Sequence, residues 1–159
     1  MTSEILPKRI AEDIAPRLGG FVSERKPVLT IWQTGTADAI RSVDPEDFRE
    51  AVDEGVAAMQ RAGSEVVLVN PQYSPRLETM ISLTPYLDGM RIVAQHHDVP
   101  LFDRFAIMRH WNEAGEFDLF GPAQGMAMAR EVHDCLGQAL ATFVIEAARI
   151  NLAELRVGR

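Results

Sequence analysis

Few side chains in this sequence have the types and spacing of a reaction centre. His133 and Cys135 lie two positions apart, and residues 34–38 combine two hydroxyls, a glycine and a carboxylate after an apolar run. A histidine can act as a general base, and a thiolate or hydroxyl can act as a nucleophile. Because residues two apart on a helix do not face each other, a Cys–His pair is disfavoured.

Polar and small residues also follow residues 28–33 and 65–70, which are predicted to form the first two strands. In a parallel sheet the carboxyl ends of the strands meet at one edge, where ligands bind. We therefore expect a substrate-binding region at this edge, formed by Gly35, Thr36, Ala37, Asp38, Asn70 and Gln72. Turn stabilisation and solvation are the alternative roles, and for Asp38 capping of the next turn is favoured over catalysis.

The sequence predicts no metal site and no cofactor. His96 and His97 are adjacent on a predicted helix, so their side chains are expected to point in different directions. No glycine-rich phosphate-binding loop follows a strand.

Composition indicates a single globular domain over residues 1–159. The 159 residues are 47% hydrophobic and 25% charged, with a net charge of −7. The net negative charge argues against nucleic acid as a partner, since phosphate binding needs clustered Lys and Arg. We find neither a signal peptide nor a membrane-spanning run, which predicts a cytoplasmic protein without membrane partners. A periplasmic or secreted location is expected if the chain is an N-terminally truncated product.

Hydrophobic periodicity predicts alternating helices and strands. The helices are expected at about residues 4–21, 45–62, 77–97, 104–112 and 126–155, and Gly19-Gly20 is a plausible stop for the first. Asp44-Pro45 is a strong helix start, with an N-cap carboxylate and a proline at the first helical position. The strands are expected at residues 28–33, 65–70 and 100–102, and loops at residues 72–76 and 113–124.

This order of elements predicts an α/β fold, with helices on both faces of a small parallel sheet of about three strands. The expected architecture is a three-layer α/β/α sandwich of flavodoxin-like type. A flavodoxin-like module unrelated to hydrolysis is one alternative, supported by element order alone.

Residues 28–38 and 130–137 resemble two sequence blocks of the SGNH (GDSL-type) hydrolases. Val28-Leu-Thr-Ile-Trp-Gln-Thr-Gly-Thr-Ala-Asp38 is similar to the third block, in which a strand leads into Gly-x-Asn-Asp. The segment from Arg130 to Gly137 is similar to the fifth block, in which Asp-x-x-His lies in a loop before the last helix. The resemblance covers nearly the whole chain and implies an ester hydrolase in which His133 is the catalytic base.

The chain departs from the family pattern at two positions and lacks one block. The family's oxyanion Asn falls on Ala37, and the Asp that orients the base falls on Arg130. The Ser-bearing first block has no equivalent before Val28, and Ser64, the only serine after a glycine, precedes a strand. The resemblance therefore implies a domain for small esters or O-acyl carbohydrates that is catalytically incomplete as this chain alone. A non-catalytic relative that binds a ligand or a partner is the alternative.

The absent first block also implies an exposed sheet edge. By the family's strand order, residues 28–33 would lie beside the missing strand, and the segment contains neither Pro nor Lys to block pairing. We therefore expect a homodimer or a strand-completing partner.

Overall fold

The computed structural model describes residues 2–119 and 125–157, and it describes side chains for residues 2–119 and 126–148. The chain forms helices and strands with the following bounds: α1 Ala11–Arg25, β1 Leu29–Gln33, α2 Thr36–Ile40, α3 Pro45–Arg61, β2 Glu65–Val69, α4 Pro75–Glu78, α5 Thr84–His96, β3 Leu101–Phe102, α6 Arg104–Glu113 and α7 Gly125–Val157.

The three strands form one parallel sheet in the order β1-β2-β3. Leu29 of β1 pairs with Glu65 of β2, and Leu68 of β2 pairs with Leu101 of β3. The predicted α/β class with about three parallel strands is confirmed. Within the described residues β1 is hydrogen-bonded to a strand on one side only.

Helices cover both faces of this sheet. Trp32 and its partner Leu68 face α1 and α3, since the indole of Trp32 lies under Gly55 of α3. Phe102 lies on the other face of the sheet, because the strand register places it one position out of phase with Trp32 and Leu68. Its ring packs edge-on against Phe143 of α7, with ring centroids 5.6 Å apart. The sandwich is therefore three-layered, with α1, α3 and α5 on one side and α7 on the other.

Helix α1 differs from the prediction at both ends. It starts at Ala11 rather than near residue 4, and it continues through Gly19-Gly20 to Arg25. The predicted stop is wrong because Gly19 packs against Ala58 of α3, where a Cβ would lie 3.5 Å from the Ala58 Cβ. Close helix–helix contact outweighs the low helix propensity of glycine.

The predicted start of α3 is confirmed. The Asp44 side chain accepts a hydrogen bond of 2.9 Å from the Glu46 N–H, and Pro45 occupies the first helical position. The apolar face of this helix is buried, with Phe48 and Met59 among its fully covered members.

The single helix predicted for residues 77–97 is wrong, since the structure has α4 and α5 separated by residues 79–83. Ser74 caps α4 by accepting from the Leu77 N–H, and Pro85 lies in the first turn of α5. The last predicted helix agrees with α7 to within two residues at each end. The predicted loop before it includes Gly121 and Pro122, which lie outside the described residues. No helix in the described part of the chain combines the length and apolar character needed to span a membrane.

The close approach of α3 to the sheet depends on a glycine. A Cβ on Gly55 would lie 2.5 Å from Cζ3 of Trp32, 2.7 Å from its Cη2 and 3.0 Å from Cδ1 of Leu18. Trp32 is only 5% exposed, so the ring has little room to move. Any side chain at position 55 must separate α3 from β1.

We predict that Gly55→Ala lowers the free energy of unfolding by roughly 1–3 kcal/mol, the usual cost of overpacking a core. Gly20→Ala is the matched control, because Gly20 is helical with no atom within 4 Å of a Cβ there. The control should stabilise the protein by up to about 1 kcal/mol. Urea denaturation measures both values, and equal effects of the two substitutions would contradict the packing argument.

Candidate functional site

The carboxyl ends of the three strands place the segments after Gln33, Val69 and Phe102 at one edge of the sheet. The structure thus brings the predicted substrate or oxyanion region to this edge. Its members differ in exposure: Gly35, Asp38 and Asn70 are buried, Thr36 and Ala37 are half-buried, and Gln72 is exposed.

Gly35 forms the sharp turn between β1 and α2. Its backbone has φ 99° and ψ −23°, a left-handed conformation that side chains rarely adopt. A Cβ there would lie 2.9 Å from Cγ of Pro71 and 3.2 Å from Cζ of Phe48. Position 35 therefore requires glycine for both its backbone conformation and the available space. The turn lies directly against Pro71, the residue after Asn70.

Asp38 has a structural task that links this turn to α1. Its Oδ1 accepts a hydrogen bond of 2.8 Å from the N–H of Ala11, the first residue of α1. Ile10, the N-cap residue of α1, supplies no side-chain cap, so Asp38 caps that helix from 27 positions away. The sequence predicted that Asp38 caps the turn that follows it, whereas in the structure its carboxyl caps α1.

The second oxygen of this carboxyl has an unusual environment. Asp38 is 1% exposed, and its Oδ2 has no hydrogen-bond partner among the described residues. Burial raises the pKa of Asp38, against the lowering effect of backbone N–H groups led by that of Ala11. The folded protein therefore favours the protonated acid more than the unfolded chain does.

Asn70 ties β2 to the start of α6. Its Nδ2 donates to Oδ1 of Asp103 over 2.7 Å, and its Oδ1 accepts from the Phe105 N–H over 3.0 Å. Asp103 also caps α6 by accepting from the Ala106 N–H. Both ends of the buried amide thus have protein partners, and Asn70 joins the end of β2 to the start of α6.

Asp103 and Arg104 are edge residues that the sequence reasoning missed. Burial raises the pKa of Asp103, but hydrogen bonds from Asn70, the Ala106 N–H and Arg91 outweigh it and hold that pKa below its usual value. Arg104 is 6% exposed, and burial lowers its pKa to about 10. Both residues directly follow a predicted strand, the same signal that identified Asn70.

His133 lies within α7 and not in a loop before it, so the position implied by the family resemblance is wrong in this respect. Its side chain is exposed, while Val132 and Leu136 turn towards the core. Within the described residues His133 forms no hydrogen bond or ion pair, and Arg130, in the Asp position of the motif, is exposed as well.

The serines offer no activated hydroxyl in the described part of the chain, where no serine is hydrogen-bonded to a histidine. Ser64 is buried before β2, where its Oγ lies 2.8 Å from Oγ1 of Thr30 and donates to the Glu65 carbonyl over 2.9 Å. Ser74 caps α4. Ser42 and Ser82 are exposed and line an open depression of about 460 Å³ beside the start of α3, together with Tyr86.

We predict that Asp38→Asn becomes more stable relative to the wild type as pH rises. A raised folded pKa means that the wild type loses stability as the pH rises from about 3.8 through the folded value, whereas Asn can keep the bond to Ala11 without a charge. Asp38→Ala removes the cap and should cost about 0.5–2 kcal/mol at low pH, where Asp38 is protonated, and less as the pH rises. Urea denaturation at several pH values tests both predictions. An increase in the stability of the wild type relative to Asp38→Asn as the pH rises would contradict a raised pKa of Asp38.

Several solved structures share this fold at low sequence identity. A lipase/acylhydrolase from Enterococcus faecalis has a TM-score of 0.59 and 21% identity, covering 82% of this chain and 72% of its own. TesA has a TM-score of 0.59 and 18% identity, with 80% and 71% covered. A putative lipolytic protein of the G-D-S-L family from Desulfitobacterium hafniense has a TM-score of 0.51 and 21% identity, with 60% and 54% covered. The chain thus spans about half the length of this last protein.

No curated protein matches the sequence significantly. At these identities the solved structures show the fold alone, and they agree with the predicted resemblance to SGNH hydrolases. The model of the Non-GDSL lipase-like family matches residues 1–150. Because that match spans almost the whole sequence, this chain belongs to the Non-GDSL lipase-like family.

Proposed function

We propose that this chain is an ester-hydrolase-type domain for small esters or O-acyl carbohydrates, and that it is catalytically incomplete on its own. The observation that carries this proposal is the position of His133, exposed on α7 with no carboxylate and no serine bonded to it in the described residues. Family membership supports ester hydrolysis as the class of reaction. The surroundings of His133 argue against a complete active site within one chain.

Acyl transfer needs a nucleophile, a base, a group that orients the base and donors for the oxyanion. Ala37 has no side-chain donor, and loss of one such donor typically reduces kcat about 10²- to 10³-fold. The Asp38 carboxylate, which follows it, is already used to cap α1. The edge therefore retains the turn and the strand ends, with few groups free to act on a bound ester.

A non-catalytic binding protein is the second candidate function. The depression beside the start of α3 favours it, because its volume of about 460 Å³ lies within the usual range for small-molecule sites. Hydroxyls from Ser42 and Ser82 offer hydrogen bonds to a carbohydrate there.

The proposed function includes a partner that pairs with β1. This strand is bonded to β2 alone within the described residues, and Ile31 in its middle is 45% exposed. Val28, just before it, is 84% exposed. An apolar edge without Pro or Lys is suited to pairing with another strand, and we assign that role to a second copy of this chain.

We predict that the purified chain hydrolyses a short-chain p-nitrophenyl ester at a rate near background. His133→Ala should leave that rate unchanged, because His133 has no nucleophile to activate. His110→Ala is the matched control, since His110 is also an exposed helical histidine. Activity that is lost in His133→Ala and retained in His110→Ala would overturn catalytic incompleteness.

We predict a dimer of the 17.7 kDa chain in size-exclusion chromatography with light scattering. Ile31→Lys places a charge in the middle of β1 and should yield monomers. Ile92→Lys is the matched control, because Ile92 is 51% exposed on α5, and it should remain dimeric. A monodisperse wild-type monomer would rule out the homodimer.

A further inference from the structure

Among the described residues, one group of three side chains is suited to hold a metal ion, and it lies far from the carboxyl ends of the strands. Asp53 of α3, His96 at the end of α5 and His97 just after it each offer one ligand atom, and these atoms all lie within 4.8 Å of one another. Since α5 leads into the amino end of β3, the group lies at the edge of the sheet opposite to the Gly35 turn.

The expectation that His96 and His97 point apart is wrong. Their ring centroids are 4.7 Å apart. His96 Nδ1 lies 2.8 Å from Oδ1 of Asp53, and His97 Nε2 lies 2.9 Å from the same oxygen. The two rings converge because α5 ends at His96 and His97 has φ −95° and ψ 1°, outside the helix.

The neighbouring Gln60 determines which nitrogen of His97 is available. Its Nε2 donates to the backbone carbonyl of His97 over 3.1 Å, so its Oε1 is turned towards His97 Nδ1 at 3.2 Å. An amide oxygen only accepts hydrogen bonds, and Nδ1 must therefore carry the hydrogen. In a neutral His97 the free lone pair is then on Nε2, which faces Asp53.

A lone pair that faces a carboxylate oxygen at 2.9 Å requires a positive species nearby, either a proton or a cation. Metal binding in turn requires a deprotonated carboxylate and neutral imidazoles.

From this geometry we propose that Asp53, His96 and His97 bind one divalent transition-metal ion of the Zn²⁺ type. Two imidazole nitrogens and one carboxylate oxygen form a ligand set that Zn²⁺ accepts. Mg²⁺ and Ca²⁺ prefer oxygen ligands, so the two imidazoles argue against these ions. Gln60 is the outer partner that fixes the His97 ring, as metal-bound histidines usually require.

Little movement is needed to accommodate the ion. Ligand atoms of a tetrahedral zinc site at bonds of 2.0–2.1 Å lie roughly 3.3 Å apart. The two imidazole nitrogens, 2.8 and 2.9 Å from the Asp53 oxygen, must therefore move roughly half an ångström away from it. His96 is 67% exposed in its side chain and can rotate, whereas His97 is 13% exposed and held by Gln60. The exposed side leaves a fourth position for water.

The bound ion would fasten the end of α5 to α3. It would therefore stabilise the folded chain by mass action, since the three ligands are not assembled in the unfolded state. This role is independent of ester chemistry at the other edge of the sheet.

Isothermal titration calorimetry of the full chain with zinc sulfate, in a buffer without phosphate or chelator, tests the site. We expect one Zn²⁺ per chain and a rise in Tm that excess EDTA reverses. His96→Gln should weaken binding at least tenfold, and its exposure makes misfolding a poor explanation for the loss. Gln60→Ala should weaken binding about tenfold through the outer contact.

His110→Gln and Cys135→Ser are the matched controls, because they remove other potential ligands and should leave the affinity unchanged. Wild-type affinity in His96→Gln, or loss of binding in Cys135→Ser alone, would overturn the assignment. Absence of a binding isotherm for the wild type would mean that the three side chains form only a hydrogen-bonded cluster.

Discussion

The contact between the indole of Trp32 and the backbone of Gly55 determines how the rest of the molecule is arranged. In the part of the chain that the structure describes, β1 is bonded to the sheet along one side only, so its position depends on what covers its inner face. The large ring at position 32 fills the space between the sheet and α3, and the absence of a side chain at position 55 lets α3 approach it. α1 then packs alongside α3, with Leu18 against the same contact.

That arrangement in turn places the strand-end residues. With α1 beside α3, the first N–H of α1 reaches the Asp38 carboxylate in the segment after β1. On the other side of the edge, Asn70 joins β2 to the capping carboxylate of α6. The polar groups at this edge therefore bind mainly to the protein itself.

Local signals in the sequence were sufficient for the strands and for α3, because strand composition, Asp44 and Pro45 act within a few residues. Contacts between distant residues decided the features that were predicted wrongly. α1 begins where Asp38 can cap it, and it passes through Gly19 because Ala58 requires a small neighbour. The convergence of His96 and His97 depends on Asp53, more than forty positions away. No periodicity in the sequence encodes such pairings.

The strand order has a consequence for how the chain acquires its structure. Each strand lies beside the next one along the chain, and β2 is the only strand bonded on both sides in the described residues. β1 and α1 therefore have no sheet to join until β2 has been synthesised, whereas β3 adds to a pair that is already covered by helices on the face of α1, α3 and α5. We expect the nascent chain to acquire its structure from the N-terminal side, with β2 as the strand whose backbone amides exchange most slowly with solvent.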